Sequence, residues 1–237
     1  MASLSQLLMV GLMFWTQALA DKLAAKDSFA PGKAEHWWAF RPLSVNPPPE
    51  MNQAGQVSPH PIDRWVFSHL REKGLQPNPQ ADHRVLLRRA SFDIQGIPPS
   101  YESVQEFMDD ASPAKWSNVV SGLLESERYG ERWGRYWLDL ARYAESSGFE
   151  HDYDRPSAYH YRDFVIKALN ADMPYDQFVR WQLAGDEYEP NNPLAMMATG
   201  FLGAGVFPTQ ITANEVERVR YDAMDDMLST AGSAMLG

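Results

Sequence analysis

Residues 126–170, SERYGERWGRYWLDLARYAESSGFEHDYDRPSAYHYRDFVIKALN, decide the fold that the sequence predicts. They contain two segments with helical spacing, separated by a short loop rich in acidic and aromatic residues. In each segment apolar residues recur three or four positions apart, which is typical of a helix with one buried face. The predicted buried residues are Tyr129, Trp133, Tyr136, Trp137, Leu140, Ala141 and Ala144 in the first helix and Tyr161, Phe164, Val165, Ala168 and Leu169 in the second.

The ends of these two helices are also indicated by residue type. Ser126 is predicted to cap the first helix, because its hydroxyl can accept a hydrogen bond from a first-turn amide. The Ser-Ser-Gly sequence at 146–148 is expected to end that helix. Pro156 disfavours helical backbone at Arg155, and Ser157 is predicted to cap the second helix. The sequence therefore predicts a loop that is fixed at both ends.

Short helical patterns with short connections continue along the rest of the chain. They predict an all-α domain over residues 59–237, an irregular array of about eight amphipathic helices. Residues 21–58 lack periodicity and include three consecutive prolines at 47–49, so they predict an extended aromatic and Pro-rich arm and linker. The last helical pattern, from residue 214 to about 235, stops abruptly, and we expect the domain to be truncated at its C-terminal end.

Composition excludes several classes of function. The chain of 237 residues has a net charge of −10 and a pI near 5.0. Because binding to nucleic-acid phosphates needs a basic surface, we expect no nucleic-acid partner. The sequence contains no cysteine. Disulfides, thiolate metal sites and covalent attachment of a c-type haem are therefore excluded for these residues.

Residues 1–20 have the features of a signal peptide. The apolar run at 7–15 precedes Ala18-Leu19-Ala20, and these two alanines stand where a signal peptidase requires small residues. The segment lacks the usual Lys or Arg, and a buried N-terminal helix is the alternative. We expect an exported protein, periplasmic or extracellular. No later stretch approaches the ~20 apolar residues of a membrane span, so none is predicted after signal removal.

A candidate polar site lies in and around the loop. Its members are Arg142, Glu145, Glu150, His151, Asp152, Asp154, Arg155, Arg162 and Asp163. The alternating acids at 150, 152 and 154 are similar to the start of a calcium loop, but Arg155 replaces the turn glycine and Tyr161 the bidentate Glu. A second interpretation is a site for another divalent ion, with added ligands from His151, His160, Glu145 and Asp163. The third, which the sequence favours, is that the acids pair with Arg142, Arg155 and Arg162.

Two further hypotheses use the same loop. Glu145 and Glu150 lie on opposite sides of the Ser-Ser-Gly break, and they are candidates for the two carboxylates, about 5–9.5 Å apart, that a glycosidase needs. The binding alternative is glycan recognition through the rings of Trp37, Trp38 and Tyr153. Neither hypothesis has a motif that fixes it, and no self-contained catalytic site is recognised.

Seven short motifs occur in order along the chain: PIDR at 61–64, LLRRASFD at 86–93, GIPP at 96–99, RYGERW at 128–133, WLDLARYAES at 137–146, RDFV at 162–165 and QLAGD at 182–186. Together they resemble the planctomycete-type cytochrome-c-like domain, a domain of unknown function, over about residues 36–237. The resemblance implies a large exported protein in which this helical domain precedes a second uncharacterised domain, often with a cytochrome module. It also implies haem c or a metal ion for the full-length protein, through a Cys-x-x-Cys-His run that follows in the family and that this chain lacks.

The resulting functional hypothesis is an exported helical scaffold domain of a cytochrome-associated protein. It supports a haem or metal centre located outside this chain, and no cofactor is expected on the chain itself. Its expected partners are the downstream domain of the same protein and a cytochrome module. The alternatives are a carbohydrate-active or hydrolytic module, or a glycan-binding module, that uses residues 145–163.

Overall fold

The computed structural model describes residues 42, 44, 46–49, 60–110, 112–149 and 151–236. The predicted signal peptide and the tryptophans of the predicted arm lie outside these residues. The chain divides into two compact units, Met1–Asn78 and Pro79–Gly237. The first unit contains helix α1, Pro61–Glu72, whose first turn is capped by His60 Nδ1. Arg64 of α1 donates hydrogen bonds of 2.9 Å to the carbonyl oxygens of Pro48 and Pro49, which holds the proline segment on the helix.

The second unit is built from eight further α-helices in its described part. They are α2 His83–Gln95, α3 Tyr101–Asp109, α4 Pro113–Leu124, α5 Arg128–Leu140, α6 Tyr159–Asn170, α7 Tyr175–Tyr188, α8 Pro193–Ala198 and α9 Val216–Met235, with a 3₁₀ turn at Thr199–Phe201 between α8 and α9. The described residues contain one isolated β-bridge and no strand or sheet. The all-α prediction is therefore confirmed, with nine α-helices in the described residues where about eight were expected. None of the described helices is long and apolar enough to cross a membrane.

Local side chains fix where most of these helices begin. Asp82, Ser100 and Ser112 accept hydrogen bonds of 2.9–3.3 Å from first-turn amides of α2, α3 and α4. Ser126 accepts from the amide of Arg128 at 3.3 Å, but it is not the residue directly before α5, which is Glu127 with helical backbone angles and no capping side chain. The predicted cap of α6 by Ser157 is wrong. No side chain caps α6, because the residue before it, Ala158, already has helical backbone angles instead of the extended angles of a cap.

The apolar core lies where α5, α6, α7 and α8 meet. Phe164, Val165 and Ala168 of α6 are fully buried, as the sequence predicts. The ring of Phe178 on α7 stacks on Phe164 at 5.5 Å and meets Trp137 of α5 edge-on at 4.9 Å. These contacts join three helices through aromatic rings.

The predicted buried face of α5 is partly wrong. Trp137 and Ala141 pack on the core, but Trp133, Tyr136 and Leu140 are exposed. The residues that approach α6 include Gly130 and Gly134, both buried. A methyl group at Gly130 would lie 2.5 Å from the carbonyl oxygen of Ile166, so the two helices come closer than side chains would allow. Because glycine has no hydrophobic side chain, the spacing of apolar residues does not predict that the side of α5 with Gly130 and Gly134 contacts α6.

The end of α5 also differs from the prediction. The helix ends at Leu140, before the Ser-Ser-Gly sequence that was expected to end it. Arg142 has a φ of 58°, in the left-handed region, and the amide of Tyr143 bonds back to the carbonyl of Leu138 at 2.9 Å. This arrangement satisfies a free carbonyl of the last turn and reverses the chain.

A polar network lies inside the core. The side-chain oxygen of Gln182, a fully buried residue of α7, accepts from Trp137 Nε1 and from the Tyr161 hydroxyl, each at 2.7 Å. The amide nitrogen of Gln182 donates to the carbonyl of Phe178 at 3.0 Å. Burial raises the pKa of Tyr161, so its hydroxyl stays protonated and can donate. Gln182 thus satisfies polar groups from α5, α6 and α7.

Gly130→Ala is expected to lower the free energy of unfolding by roughly 1–3 kcal/mol, because the new methyl group overlaps a backbone carbonyl that cannot move without shifting α6. Urea denaturation followed by circular dichroism measures this change. The matched control is Gly134→Ala, whose methyl group would meet its nearest neighbour at 3.4 Å, an ordinary contact. This control should be neutral or stabilising by up to about 1 kcal/mol, since alanine favours helix over glycine. Equal effects at both positions would contradict the close approach at Gly130.

Gln182→Leu is expected to lower the free energy of unfolding by roughly 1–3 kcal/mol, because the buried Tyr161 hydroxyl loses its acceptor. Trp137 Nε1 keeps only its 3.0 Å hydrogen bond to that hydroxyl. Gln177→Leu on the same helix is the control, since Gln177 is only half-buried and belongs to no side-chain network; its effect should stay within about 0.5 kcal/mol. Chemical denaturation of the two variants measures both. A Gln182→Leu protein as stable as the wild type would show that the network contributes nothing.

Candidate functional site

The loop between α5 and α6, residues 141–158, folds back on itself. Ser146 and Asp154 form an antiparallel bridge, and backbone hydrogen bonds join Ser147 to Tyr153 at 2.9 Å and Arg155 to Glu145 at 2.8 Å. The turn above them contains Gly148, Phe149 and Asp152, all with positive φ. Such angles are unfavourable for residues other than glycine, and they persist where surrounding contacts impose them. The backbone hydrogen bonds between residues 145–147 and 153–155 therefore support these angles in the turn.

Asp152 supports the turn of this loop. Its side chain accepts from the backbone amide of Gly148 at 2.9 Å. A hydrogen bond from the Ser146 side chain, and then that from the Gly148 amide, hold the pKa of Asp152 below its ordinary value. Asp152 thus closes the turn through local hydrogen bonds.

Glu145 lies in a second polar cluster, at the start of the loop. Its oxygen Oε1 accepts from Arg162 Nη1 on α6 and from the Tyr143 hydroxyl at 3.0 Å. Arg162 also reaches Asp163 Oδ1 at 3.3 Å. Burial, and then the hydrogen bond to Glu145, raise the pKa of Tyr143 to about 12, so the phenol remains a neutral donor at physiological pH. This cluster ties the loop to α6.

Arg142 ties the loop to the last helix. Its Nη1 atom donates to Asp226 Oδ1 on α9, in an ion pair that is about one-third exposed. The pair packs against Gly205, where a methyl group would lie 2.7 Å from Asp226 Oδ2 and 3.1 Å from Arg142 Nη2. The Nε atom of Arg142 is buried without a hydrogen-bond partner. The ion pair joins two segments that are 84 residues apart in the sequence.

A third connection leads to residues 203–207, between the 3₁₀ turn and α9. Arg155 donates to the carbonyl oxygens of Gly203 at 2.7 Å and Ala204 at 3.3 Å. The backbone amide of Phe207 donates to the carbonyl of Ser147 at 3.1 Å. We call the connections from the loop to Arg162, to Asp226 and to residues 203–207 the loop tethers.

The structure brings only some of the predicted site residues together. The predicted pairing of loop acids with arginines holds for Glu145 and Arg162; it is wrong for Arg142, which pairs with Asp226 of α9, and for Arg155, which binds carbonyls. Asp154 is exposed, and exposed His151 stacks on Tyr153 with ring centroids 5.7 Å apart.

The metal and hydrolase hypotheses have no supporting geometry in the described residues. In that part of the chain no three His, Asp or Glu side chains are grouped closely enough to hold a metal ion. Glu150 lies outside the described residues. The calcium-type loop and the Glu145–Glu150 carboxylate pair, which both need Glu150, therefore stay predictions.

Sequence reasoning missed Asp226 as a site residue, since all members of the predicted polar site lie within residues 142–163. A signal was nevertheless present. Asp226 follows buried Val219 by seven residues and precedes buried Thr230 by four, so all three share one helical face. A carboxylate on the inward face of an amphipathic helix indicates a buried or half-buried partner.

The fold and the loop define an all-α domain whose central loop is tied to three neighbouring segments. The chain belongs to the family described as "PSCyt2: Protein of unknown function (DUF1549)", whose model matches residues 61–237. No curated protein and no solved structure matches the chain.

A double-mutant cycle on Arg142 and Asp226, with alanine at each, is expected to give a coupling free energy of about 1 kcal/mol, because the pair is partly shielded from water. Its side chains are 32% and 43% exposed. The matched cycle on Arg218 and Asp222 of α9, which are 64% and 63% exposed, should give about 0.3–0.5 kcal/mol. Thermal or urea unfolding of the variants measures both couplings. A coupling for Arg142–Asp226 no larger than that of the exposed pair would contradict its role as a tether.

Proposed function

We propose that the chain is a helical scaffold domain of an exported, cytochrome-associated protein, and that it supports a haem or metal centre located outside this chain. The partners in this proposal are a downstream domain of the same protein and a cytochrome module. The motif resemblance at 61–186 and the loop tethers support it.

The observation that carries the proposal is the ion pair between Arg142 and Asp226. It attaches the last described helix, α9, to a loop whose other end leads into α6, a helix with four buried residues. Near the C-terminal end of α9, Ala231, Ala234 and Met235 pack against the core. A group that is held by a neighbouring domain keeps a defined position only when the supporting surface is rigid. In this proposal α9, held by that ion pair and by these apolar contacts, supplies the supporting surface.

The described residues do not fit a covalently attached haem or a metal ion held by protein side chains. Thioether attachment of haem requires cysteines, and the sequence has none. A protein metal site needs several donors around one ion, and the described residues offer no group of three such side chains. The scaffold proposal accordingly assigns no chemical step to this chain. Its contribution is to hold a neighbouring module in place.

The proposal predicts a difference between the natural gene product that contains this chain and residues 1–237 produced alone. The natural product, purified from its own host, is expected to carry haem or a metal ion in stoichiometric amount, whereas residues 1–237 carry neither. Absorption spectra of the oxidised and reduced proteins detect haem, and mass spectrometry of the digested protein measures metals. A natural product without either group would contradict the proposal, as would residues 1–237 that hold one haem or metal ion per molecule.

A variant of the same natural product tests the tether. Arg142→Ala is expected to lower its haem or metal content, because it removes the ion pair between α9 and the loop. Arg220→Ala is the matched control, since Arg220 is an exposed arginine of the same helix without an ion-pair partner in the structure. Equal occupancy in both variants would show that the tether does not position the centre.

A further inference from the structure

A cleft of about 420 Å³ lies between the loop, residues 206–210 and α9. Its volume is within the range of about 300–1,000 Å³ that is usual for small-molecule sites. The apolar part of its lining includes Phe149, Val206 and Phe207, and the polar part includes His151, Gln210 and Arg218. We propose that this cleft binds a neutral saccharide.

The walls of the cleft are held in place before any ligand arrives. The Phe207 amide bonds to the Ser147 carbonyl at 3.1 Å, which joins the loop wall to the wall at 206–210. A methyl group at Gly148 would lie 3.1 Å from Val206, so these walls are in close contact. The Arg142–Asp226 ion pair attaches the α9 wall. Binding to such a preorganised cleft avoids much of the entropy cost of ordering its walls.

Two aromatic rings remain exposed in the cleft although the core is close by. Phe149 is 61% exposed and Phe207 is 44% exposed. Phe149 lines the cleft from a backbone with a φ of 62°, an angle that is unfavourable for a residue other than glycine. When a ligand with an apolar face covers exposed rings at a concave surface, the burial of apolar area favours binding. The C–H face of a sugar ring is such a surface.

The charges of the cleft favour a neutral ligand over an ionic one. Arg218 bonds to Glu215 at 3.2 Å and to Asp222 at 3.0 Å, and Asp226 is paired with Arg142. Each of these three carboxylates has an arginine partner, so none is left unpaired for a cation, and their excess of one over the two guanidinium groups disfavours an anion. The same groups, with the Gln210 amide and the Thr209 hydroxyl, can donate to and accept from the hydroxyls of a sugar.

This inference goes beyond the scaffold proposal and does not depend on it. It also uses residues other than those of the sequence-based glycan hypothesis. Trp37 and Trp38 lie outside the described residues, and Tyr153 stacks on His151 beside the cleft. The ring platforms assigned here are those of Phe149 and Phe207.

Calorimetric titration of residues 1–237 with short neutral oligosaccharides of glucose, mannose, xylose and galactose tests the proposal. At least one of them is expected to bind with one site per chain. Phe207→Ala should weaken that binding at least about tenfold, because the ring loses its contact with the sugar. The matched control is Tyr175→Ala on α7, an exposed aromatic residue outside the cleft. It should keep the wild-type affinity.

If Phe207→Ala does not fold, as judged by loss of its helical circular-dichroism signal, the affinity of Phe149→Ala for the same oligosaccharide is measured instead. The same titration with spermidine and with a sulfated polysaccharide tests ionic ligands. The proposal is overturned if no neutral sugar binds the folded chain, if binding is unchanged in the folded cleft variants, or if spermidine binds at the cleft in place of sugars. None of these outcomes affects the haem and metal measurements that test the scaffold proposal.

Discussion

Helices α5 and α6 meet at Gly130, where the backbone itself forms the contact. The Gly130 amide donates to Asn170 Oδ1 at 2.7 Å, and the Asn170 side chain donates to the carbonyl of Glu127 at 2.9 Å. Because this contact fixes the rotation of α5, Trp137 faces the core and Trp133 faces solvent. Trp137 then reaches the buried Gln182, so one steric constraint determines both the apolar packing and the polar network of the core.

The rotation of α5 also determines where the loop begins. Arg142 takes a left-handed backbone at the end of the helix, and its side chain lies against α9. Single ion pairs at such exposure are worth only about 0.2–1 kcal/mol. The loop is therefore not held by one strong contact. Two ion pairs, Arg142–Asp226 and Glu145–Arg162, act together with backbone hydrogen bonds and with the carbonyl contacts of Arg155 to hold the loop.

The sequence predicts those parts of the fold that depend on near neighbours. Asp82, Ser100 and Ser112 cap helices three or fewer residues away, and the buried face of α6 has an unbroken apolar pattern. The inward face of α5 was misassigned, because glycine contributes no apolar signal while its aromatic neighbours contribute a strong one. The partner of Arg142 was missed because it is 84 residues away and no local pattern joins the two. The cleft was missed for the same reason, since its three walls come from separate segments.

The contacts on which the scaffold proposal rests also hold the walls of the cleft. The Arg142–Asp226 pair and the Ser147–Phe207 hydrogen bond hold α9 and residues 206–210 against the loop, and those segments are the walls of the cleft. A ligand that binds only when the walls are in place must stabilise the tethered arrangement by mass action. By the same linkage, a change that detaches α9 from the loop must lower the affinity of the cleft for its ligand. Occupancy of the cleft would therefore report on the position of the helix that the scaffold proposal requires to be fixed.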